Sequence, residues 1–118
     1  GGVMAKSRWH ILWDAQGVTL ARRVPVRFDI CVEITLPKAR KLYLAQQIRQ
    51  DLWRRLKNLR GFAPVVRVVD CEHGLLVRAG GQVQGALPRQ RVEDDIRALL
   101  SDGRLQFRWL NQARLRLQ

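Results

Sequence analysis

The amino-acid sequence predicts a single small domain of mixed α and β structure, and its composition and apolar spacing favour this class. The chain has 118 residues, 47% hydrophobic and 27% charged, which is typical of one globular domain and unlike a disordered or collagen-like chain. Apolar residues recur with a period of two in some segments and of three to four in others, as in strands and helices. Lys or Arg interrupts every apolar run before the ~18 residues of a membrane-spanning helix. Two cysteines are too few for a disulfide scaffold.

The N-terminal residues are predicted to add an arm and a β-hairpin to this domain. Two glycines precede the first methionine, Met4, so residues 1–7 are interpreted as a disordered arm or tag remnant. Residues 8–23 are predicted to form a hairpin, because two apolar stretches flank turn-forming residues. No targeting segment is recognised, and free thiols at Cys31 and Cys71 agree with a reducing compartment. A cytoplasmic location is therefore expected.

The first strand and helix of the main domain are predicted between residues 24 and 60. From Val24 to Leu36, apolar and β-branched residues alternate with polar ones, as in a strand with one buried face. Pro37 fits the first position of a helix, where the N–H group has no hydrogen-bond partner in any case. From Lys38 to Arg60, apolar residues recur every three or four positions. This spacing predicts an amphipathic helix.

The remaining elements are predicted from the same two periods. Residues 65–71 and 75–79 are predicted to form a β-hairpin, and the glycine-rich residues 80–85 a loop or frayed strand end. Residues 88–100 have helical spacing and begin with a proline. Residues 105–109 alternate as Leu, Phe and Trp separated by polar residues, which predicts a last strand.

The element order from residue 24 onward is therefore β-α-β-β-α-β. This is the order of the ferredoxin-like sandwich, an α/β (α+β) fold whose four-stranded antiparallel sheet carries both helices on one face. We predict a ferredoxin-like domain over residues 24–112, an N-terminal hairpin that extends or covers its sheet, and a basic tail over residues 113–118. In this fold Cys31 lies on a central strand and Cys71 on an edge strand.

The strongest indication of function is a formal net charge of +12. Residues 38–60 carry eight Lys or Arg against one Asp, and both ends of the chain are basic as well. Positive charge of this density attracts polyanions, and Arg binds phosphate through two parallel hydrogen bonds. We therefore expect a small, non-enzymatic binding module that contacts nucleic-acid phosphates through the exposed face of helix 38–60. The residues assigned to this contact are Arg40, Arg54, Arg55, Lys57 and Arg60, helped by Arg22 and Arg23.

Several other partners fit the same charge. An acidic protein or an anionic membrane surface would be attracted to it, and a protein–protein assembly domain is the main alternative function. Such a domain could be a homodimer through the open sheet face or an edge strand. The sheet face is predicted to lack aromatic residues, so the base-stacking mode of RNA-recognition domains is not expected. The candidate interface residues are Arg27, Arg67, Arg78, Leu76 and Trp53.

Catalysis and metal binding are not expected. Residues 70–73, Asp-Cys-Glu-His, place four potential ligands around one turn, but a zinc site needs two spaced pairs that converge. Cys71 and His73 could form a nucleophile and base, yet the sequence supplies no third orienting group and no oxyanion site. We therefore expect no cofactor, no metal and no enzyme activity.

One glycine-rich segment has a family resemblance. Residues 80–89, Gly-Gly-Gln-Val-Gln-Gly-Ala-Leu-Pro-Arg, resemble the phosphate loop of acylphosphatases, a family with the ferredoxin-like fold. In that family the loop precedes the first helix, whereas here it precedes the second, and Pro88 stands where the family has an aromatic residue. No counterpart of the family's catalytic asparagine is found. The resemblance implies a candidate anion site at Gly81, Gly85 and Arg89, without acylphosphatase activity; the alternative is a flexible connection.

Overall fold

A computed structural model describes residues 8–115. The predicted arm at residues 1–7, and residues 116–118 of the predicted tail, lie outside the described residues. The chain forms five strands and three helices within the described range. They are β1 His10–Trp13, β2 Gly17–Ala21, β3 Ile30–Leu36, α1 Lys41–Leu56, β4 Phe62–Cys71, β5 Gly74–Val83, α2 Arg89–Leu100 and α3 Gly103–Gln112.

The five strands form one antiparallel sheet in the order β1-β2-β4-β5-β3. Side chains alternate between its two faces, as the pleat requires. On the helix-covered face, one row across the sheet is Ile11, Leu20, Val66, Ala79 and Val32. The next row points to the other face, here called the open face, and consists of Leu12, Thr19, Arg67, Arg78 and Glu33.

The core lies between the sheet and the helices. α1 packs on β2 and β4, α2 packs on β3 and β5, and α3 packs beside α1 and α2. Ile48, Leu52, Val66, Ile96 and Trp109 are fully buried in one apolar cluster. Among residues 8–115, no helix is both long and apolar enough to cross a membrane.

The mixed α/β class is confirmed, but the four-stranded ferredoxin-like arrangement is not adopted as predicted. β3, α1 and β4 form a split βαβ unit with β5 between the two strands. Among the described residues, the outer side of β3 has no partner strand, while β2 of the N-terminal hairpin pairs with β4. Cys31 therefore lies on an edge strand and Cys71 on the central strand, the reverse of the prediction.

The predicted last strand at residues 105–109 is wrong, because this segment is the helix α3. Asp102 caps it: its carboxylate accepts hydrogen bonds from the N–H groups of Arg104, at 2.9 Å, and Leu105, at 3.3 Å. Leu105, Trp109 and Ala113 recur every four residues and face the core, whereas Phe107 is 75% exposed. Alternation over five residues resembled a strand only because Phe107 was counted as buried.

Other predicted boundaries also shift. The first main-domain strand begins at Ile30 rather than Val24, and its helix runs from Lys41 to Leu56 rather than from 38 to 60. β5 continues as a regular strand to Val83, so only residues 84 and 85 of the segment predicted as a loop or frayed strand end lie beyond it. Gly80 suits a strand here because the backbone of Ile30 on β3 occupies the space that a β-carbon would need.

Candidate nucleic-acid interface

Two arginines and two tryptophans form a cluster at one end of the sheet, here called the Arg–Trp cluster (Trp9, Arg22, Arg49 and Trp53). The Arg22 guanidinium carbon lies 4.4 Å from the ring centre of Trp53 and 5.6 Å from that of Trp9. The Arg49 guanidinium carbon lies 5.2 Å from the Trp9 ring centre. The two rings meet edge to face, with centres 6.2 Å apart. These distances allow cation–π attraction, which favours Trp most among the aromatic residues.

Local structure explains how these side chains meet. Arg49 and Trp53 are four residues apart on α1 and so lie one above the other on the same side of the helix. Trp9 has the parity of Ile11 on β1 and therefore points to the helix-covered face. Arg22 directly follows the last residue of β2, and β2 is the neighbour of β1 in the sheet. Hairpin and helix thus bring the four groups together.

Positive charge dominates this part of the protein. Within the described residues, no carboxylate forms an ion pair with Arg22, Arg23, Arg49 or Lys57. Burial lowers the pKa of Arg22, and the neighbouring charges of Arg23 and Arg49 lower it further. Burial also lowers the pKa of Arg49, whose Nε is buried and has no hydrogen-bond partner. The cluster is therefore a site of uncompensated positive charge.

Two shallow hollows adjoin this charge. A hollow of about 170 Å³ is lined by Arg22, Arg23, Trp53 and Lys57, together with the first residues of β4. A hollow of about 140 Å³ is lined by Gly61, Gln82 and Gln84 and shares Arg23, Phe62 and Ala63 with the first. We call the two together the basic groove. Each is smaller than the ~300–1,000 Å³ of an enclosed small-molecule pocket, but each has room for a phosphate group.

The predicted phosphate-binding residues other than Arg40 divide into three groups. Arg22, Arg23 and Lys57 meet at the basic groove. Arg54 and Arg55 line a separate hollow of about 360 Å³ with Asp51, and one Arg54 nitrogen lies 3.6 Å from an Asp51 oxygen. Arg60 is exposed in the turn between α1 and β4.

Arg40 lies at the other end of α1 and has structural partners of its own. A helix rises about 1.5 Å per residue, so Arg40 and Lys57 are about 25 Å apart along the axis. The Arg40 side chain donates to the carbonyl oxygen of Gln112 at 3.1 Å, at the C-terminal end of α3. Its guanidinium carbon lies 4.0 Å from the ring centre of Tyr43. Arg40 thus connects α1 to α3 and does not line the basic groove.

The candidate interface residues of the open face are largely paired. Arg67 and Arg78 are directly opposite each other in the sheet. Arg67 lies 2.8 Å from the Asp14 carboxylate, and Arg78 lies 2.6 Å from that of Glu33. Arg27 pairs with Asp29 at 3.0 Å. Leu76 is half-buried on the same face, whereas Trp53 lies on α1 in the Arg–Trp cluster.

The candidate anion-site residues do not form one loop. Gly81 is buried within β5, while Gly85 lies beyond the strand with a φ of 78° and open space around it. The Asp29 carboxylate accepts a hydrogen bond from the N–H of Val83 at 2.8 Å, and Arg89 contacts the Asp29 carbonyl oxygen at 3.4 Å. The hydrogen bond from the Val83 N–H is the main reason why the pKa of Asp29 is lowered. A carboxylate of the chain itself thus already lies in this region.

The Cys and His residues are dispersed. Cys31 and Cys71 are both free and lie on β3 and β4, which β5 separates. His73 is exposed, and its Nε2 atom lies 3.7 Å from Oε2 of the neighbouring Glu72. Within residues 8–115, no group of three or more His, Cys, Asp or Glu side chains is arranged to hold a metal ion.

Sequence reasoning missed two members of the site, Trp9 and Arg49. The sequence pattern placed Trp9 only within the predicted hairpin at residues 8–23, and it counted Arg49 only among the eight basic residues of 38–60. The spacing of Arg49 and Trp53, four residues apart, was the available signal. The contact of Trp53 with Arg22 depends on the pairing of β2 with β4, which no local pattern reveals.

Comparison with known proteins adds no identity. No family model matches the chain, and no curated protein or solved structure is significantly similar to it. Any functional conclusion must therefore come from the site itself.

Proposed function

We propose that this protein binds nucleic acid, with backbone phosphates held in the basic groove by Arg22, Arg23 and Lys57. The observation that carries the proposal is the uncompensated charge of the groove. Cations that burial and neighbouring cations disfavour gain most when an anion arrives. A phosphodiester supplies one negative charge and several acceptor oxygens, which the forked guanidinium groups match.

The shape of the groove favours a polymer over a small molecule. Its two hollows are shallow and contiguous around Arg23, so successive phosphates of one strand could occupy them. Gln82 and Gln84 add neutral hydrogen-bonding groups to the second hollow. Arg54, Arg55 and Arg60, on and just after the same end of α1, extend the positive surface beyond the groove.

The Arg–Trp cluster argues for phosphate contact rather than base stacking. Arg22 lies over the Trp53 ring, and Trp9 meets that ring edge to face. A base could stack on the face of Trp53 that Arg22 covers only by displacing Arg22. The aromatic rings instead hold the Arg22 guanidinium in place before any ligand binds, so less side-chain entropy is lost on binding. We therefore expect binding with little sequence preference.

Binding to random-sequence oligonucleotides across roughly 50–300 mM salt tests the proposal. The slope of log affinity against log salt is about −0.9 for each phosphate contact with duplex DNA and about −0.7 for single strands. The double variant Arg23→Glu/Lys57→Glu should lower affinity at least tenfold and make the slope shallower by about two phosphate contacts. Fluorescence anisotropy with a labelled oligonucleotide measures both quantities.

The matched control is Arg91→Glu/Arg104→Glu, which changes the net charge by the same amount. Both residues are exposed, neither lines the basic groove, and neither makes an ion pair within residues 8–115. This control should retain most of the affinity. Equal losses in the two double variants would show that net charge, and not the groove, is responsible. No binding by the parent protein even at 50 mM salt would overturn the proposal.

A protein–protein assembly role is the second candidate, and the exposed apolar strand β1 favours it. This role predicts that partner binding depends on apolar positions and only weakly on salt.

A cytoplasmic setting remains part of the proposal and is supported by the free thiols of Cys31 and Cys71.

A further inference from the structure

We propose that the edge strand β1 pairs with β1 of a second copy of this chain, antiparallel and centred on Ile11. All four residues of β1 are exposed. Ile11 is 48% exposed, Leu12 39% and Trp13 58%, and within residues 8–115 only one edge of this strand is paired. An apolar strand with a free edge is a template for another strand. This inference does not depend on nucleic-acid binding.

The free edge offers backbone groups in a defined alternation. The Asp14 N–H donates to the Gly17 carbonyl oxygen at 3.0 Å, so this pair closes the hairpin with a hydrogen bond. Hydrogen-bonded and non-hydrogen-bonded pairs alternate along an antiparallel ladder. The backbone groups of Ile11 and Trp13 therefore point away from β2, toward the free edge. If the second strand is β1 of another copy, its free backbone groups also belong to odd-numbered residues, so odd-numbered residues must lie opposite odd-numbered residues.

The other edge of the sheet is protected, whereas β1 is not. On β3, Glu33 places a charge at the edge, and α2 packs against the strand. Charged residues and a covering helix are common means by which edge strands avoid pairing. β1 consists of His10, Ile11, Leu12 and Trp13 and carries no Asp, Glu, Lys or Arg.

Charge complementarity selects a second copy as the occupant and also selects the register. With Ile11 opposite Ile11 of the partner subunit, Arg8 stands opposite Asp14 of the partner subunit, on the open face. Asp14 is half-exposed there, although it also contacts Arg67. On the helix-covered face, Trp13 meets Trp9 of the partner subunit. A two-fold axis repeats each of these contacts.

Two neighbouring registers satisfy the same alternation, one centred on His10 and one on Leu12. Within the described residues they pair only residues 8–12 and 10–14, and neither places Arg8 opposite an acidic residue. The Ile11 register pairs residues 8–14, which gives a longer ladder and two additional opposite-charge pairs. Opposite charges across a ladder stabilise it, and like charges destabilise it.

The test is the association state of the full chain in 0.5 M salt, measured by sedimentation equilibrium. At that ionic strength the Debye length is about 4 Å, so repulsion between two copies of charge +12 is largely screened. We expect a particle of twice the 13.7 kDa chain mass at micromolar concentrations. Ile11→Lys places two cations opposite each other on the axis and should weaken dimerisation at least 100-fold. The matched edge variant Thr35→Lys, on β3, should leave dimerisation unchanged.

Cross-linking tests the register independently of affinity. In the Ile11 register, His10 and Leu12 of the partner subunit form a non-hydrogen-bonded pair, with α-carbons about 4.5 Å apart, a separation that a disulfide can span. In a Cys31→Ser/Cys71→Ser background, a mixture of His10→Cys and Leu12→Cys chains should form a disulfide-linked dimer, while Leu12→Cys alone should not. Cross-linking of Leu12→Cys with itself would overturn the register. A monomeric parent at all concentrations, with folding confirmed by circular dichroism, would overturn the proposal.

Discussion

Asp51 connects α1 to α3 from within the core. Its side chain is only 9% exposed, and the Oδ2 atom accepts hydrogen bonds from the Trp109 indole N–H, at 2.7 Å, and from Arg108. Trp109 itself is fully buried. A buried indole N–H needs an acceptor, and a buried carboxylate needs a cation or several donors. Each residue thus satisfies a requirement of the other.

We expect Asp51→Ala to lower the free energy of unfolding by about 2–4 kcal/mol, because it leaves the indole N–H buried without an acceptor. Asp51→Asn keeps an oxygen for Trp109 but removes the charge that Arg108 faces, and it should cost less. Urea unfolding of the three proteins measures these values. The surface control Asp94→Ala should change stability by no more than about 0.5 kcal/mol. An Asp51→Ala protein as stable as this control would show that the connection contributes little.

At the scale of elements, the N-terminal hairpin is held by Asp14. Its carboxylate accepts hydrogen bonds from the N–H groups of Gln16, at 2.8 Å, and Gly17, at 3.1 Å, within the turn. The other oxygen lies 2.8 Å from Arg67 on β4. The Arg67 hydrogen bond, followed by that of Gln16, lowers the pKa of Asp14 to about 2. One side chain thus closes the turn and fastens the hairpin to the central strand.

This lowered pKa makes the stability of the hairpin depend on pH. A carboxyl whose pKa is lower in the folded state stabilises the fold above its unfolded pKa, near 4, and that contribution is lost as the pH falls through about 2. Asp14→Asn should therefore reduce stability at pH 7, and the difference from the parent should shrink steadily between pH 4 and pH 2. Urea unfolding at a series of pH values measures this. A difference that is independent of pH would contradict the assignment.

The elements that the sequence predicted well are those with long, regular patterns. The helix α2 and the centre of α1 were found because apolar residues keep helical spacing over more than ten residues, and the hairpin β4–β5 was found because two runs rich in Val and Leu flank a turn. α3 was not found, because a five-residue window fits either period and the decisive signal was the cap at Asp102. β3 lies at the sheet edge because residues 105–109 form a helix and not a fourth main-domain strand. The wrong prediction of β3 as a central strand therefore followed from the wrong prediction of residues 105–109.

The candidate site shows the same division between local and long-range information. Charge alone identified Arg22, Arg23 and Lys57, but it could not separate them from Arg40, which has the same chemistry and lies about 25 Å away along α1. The partners of Arg40 are Tyr43 and the end of α3, a helix predicted as a strand. Distinguishing a structural arginine from a candidate ligand-binding one therefore requires the tertiary contacts.

At the scale of the whole molecule, a net charge of +12 on 118 residues favours unfolding through self-repulsion, and the basic groove concentrates that effect. Binding sites often retain such locally unfavourable arrangements because the ligand relieves them. In the free protein, burial lowers the pKa of Arg22 and repulsion by Arg23 lowers it further, and no acid within the described residues pairs with either arginine. Stability and polyanion binding should therefore respond in opposite directions to the same change.

Arg23→Glu tests this opposition directly. It replaces a repulsive neighbour of Arg22 with an attractive one, so the free energy of unfolding of the free protein should rise by up to about 1 kcal/mol at 50 mM salt. The gain should shrink at 0.5 M salt, where the charges are screened. The same substitution, Arg23→Glu, should lower the affinity for an oligonucleotide. Arg91→Glu removes equal charge elsewhere and should alter binding far less. If Arg23→Glu instead destabilised the free protein, Arg23 would have a structural role, and the groove would lose its strongest claim to be a binding site.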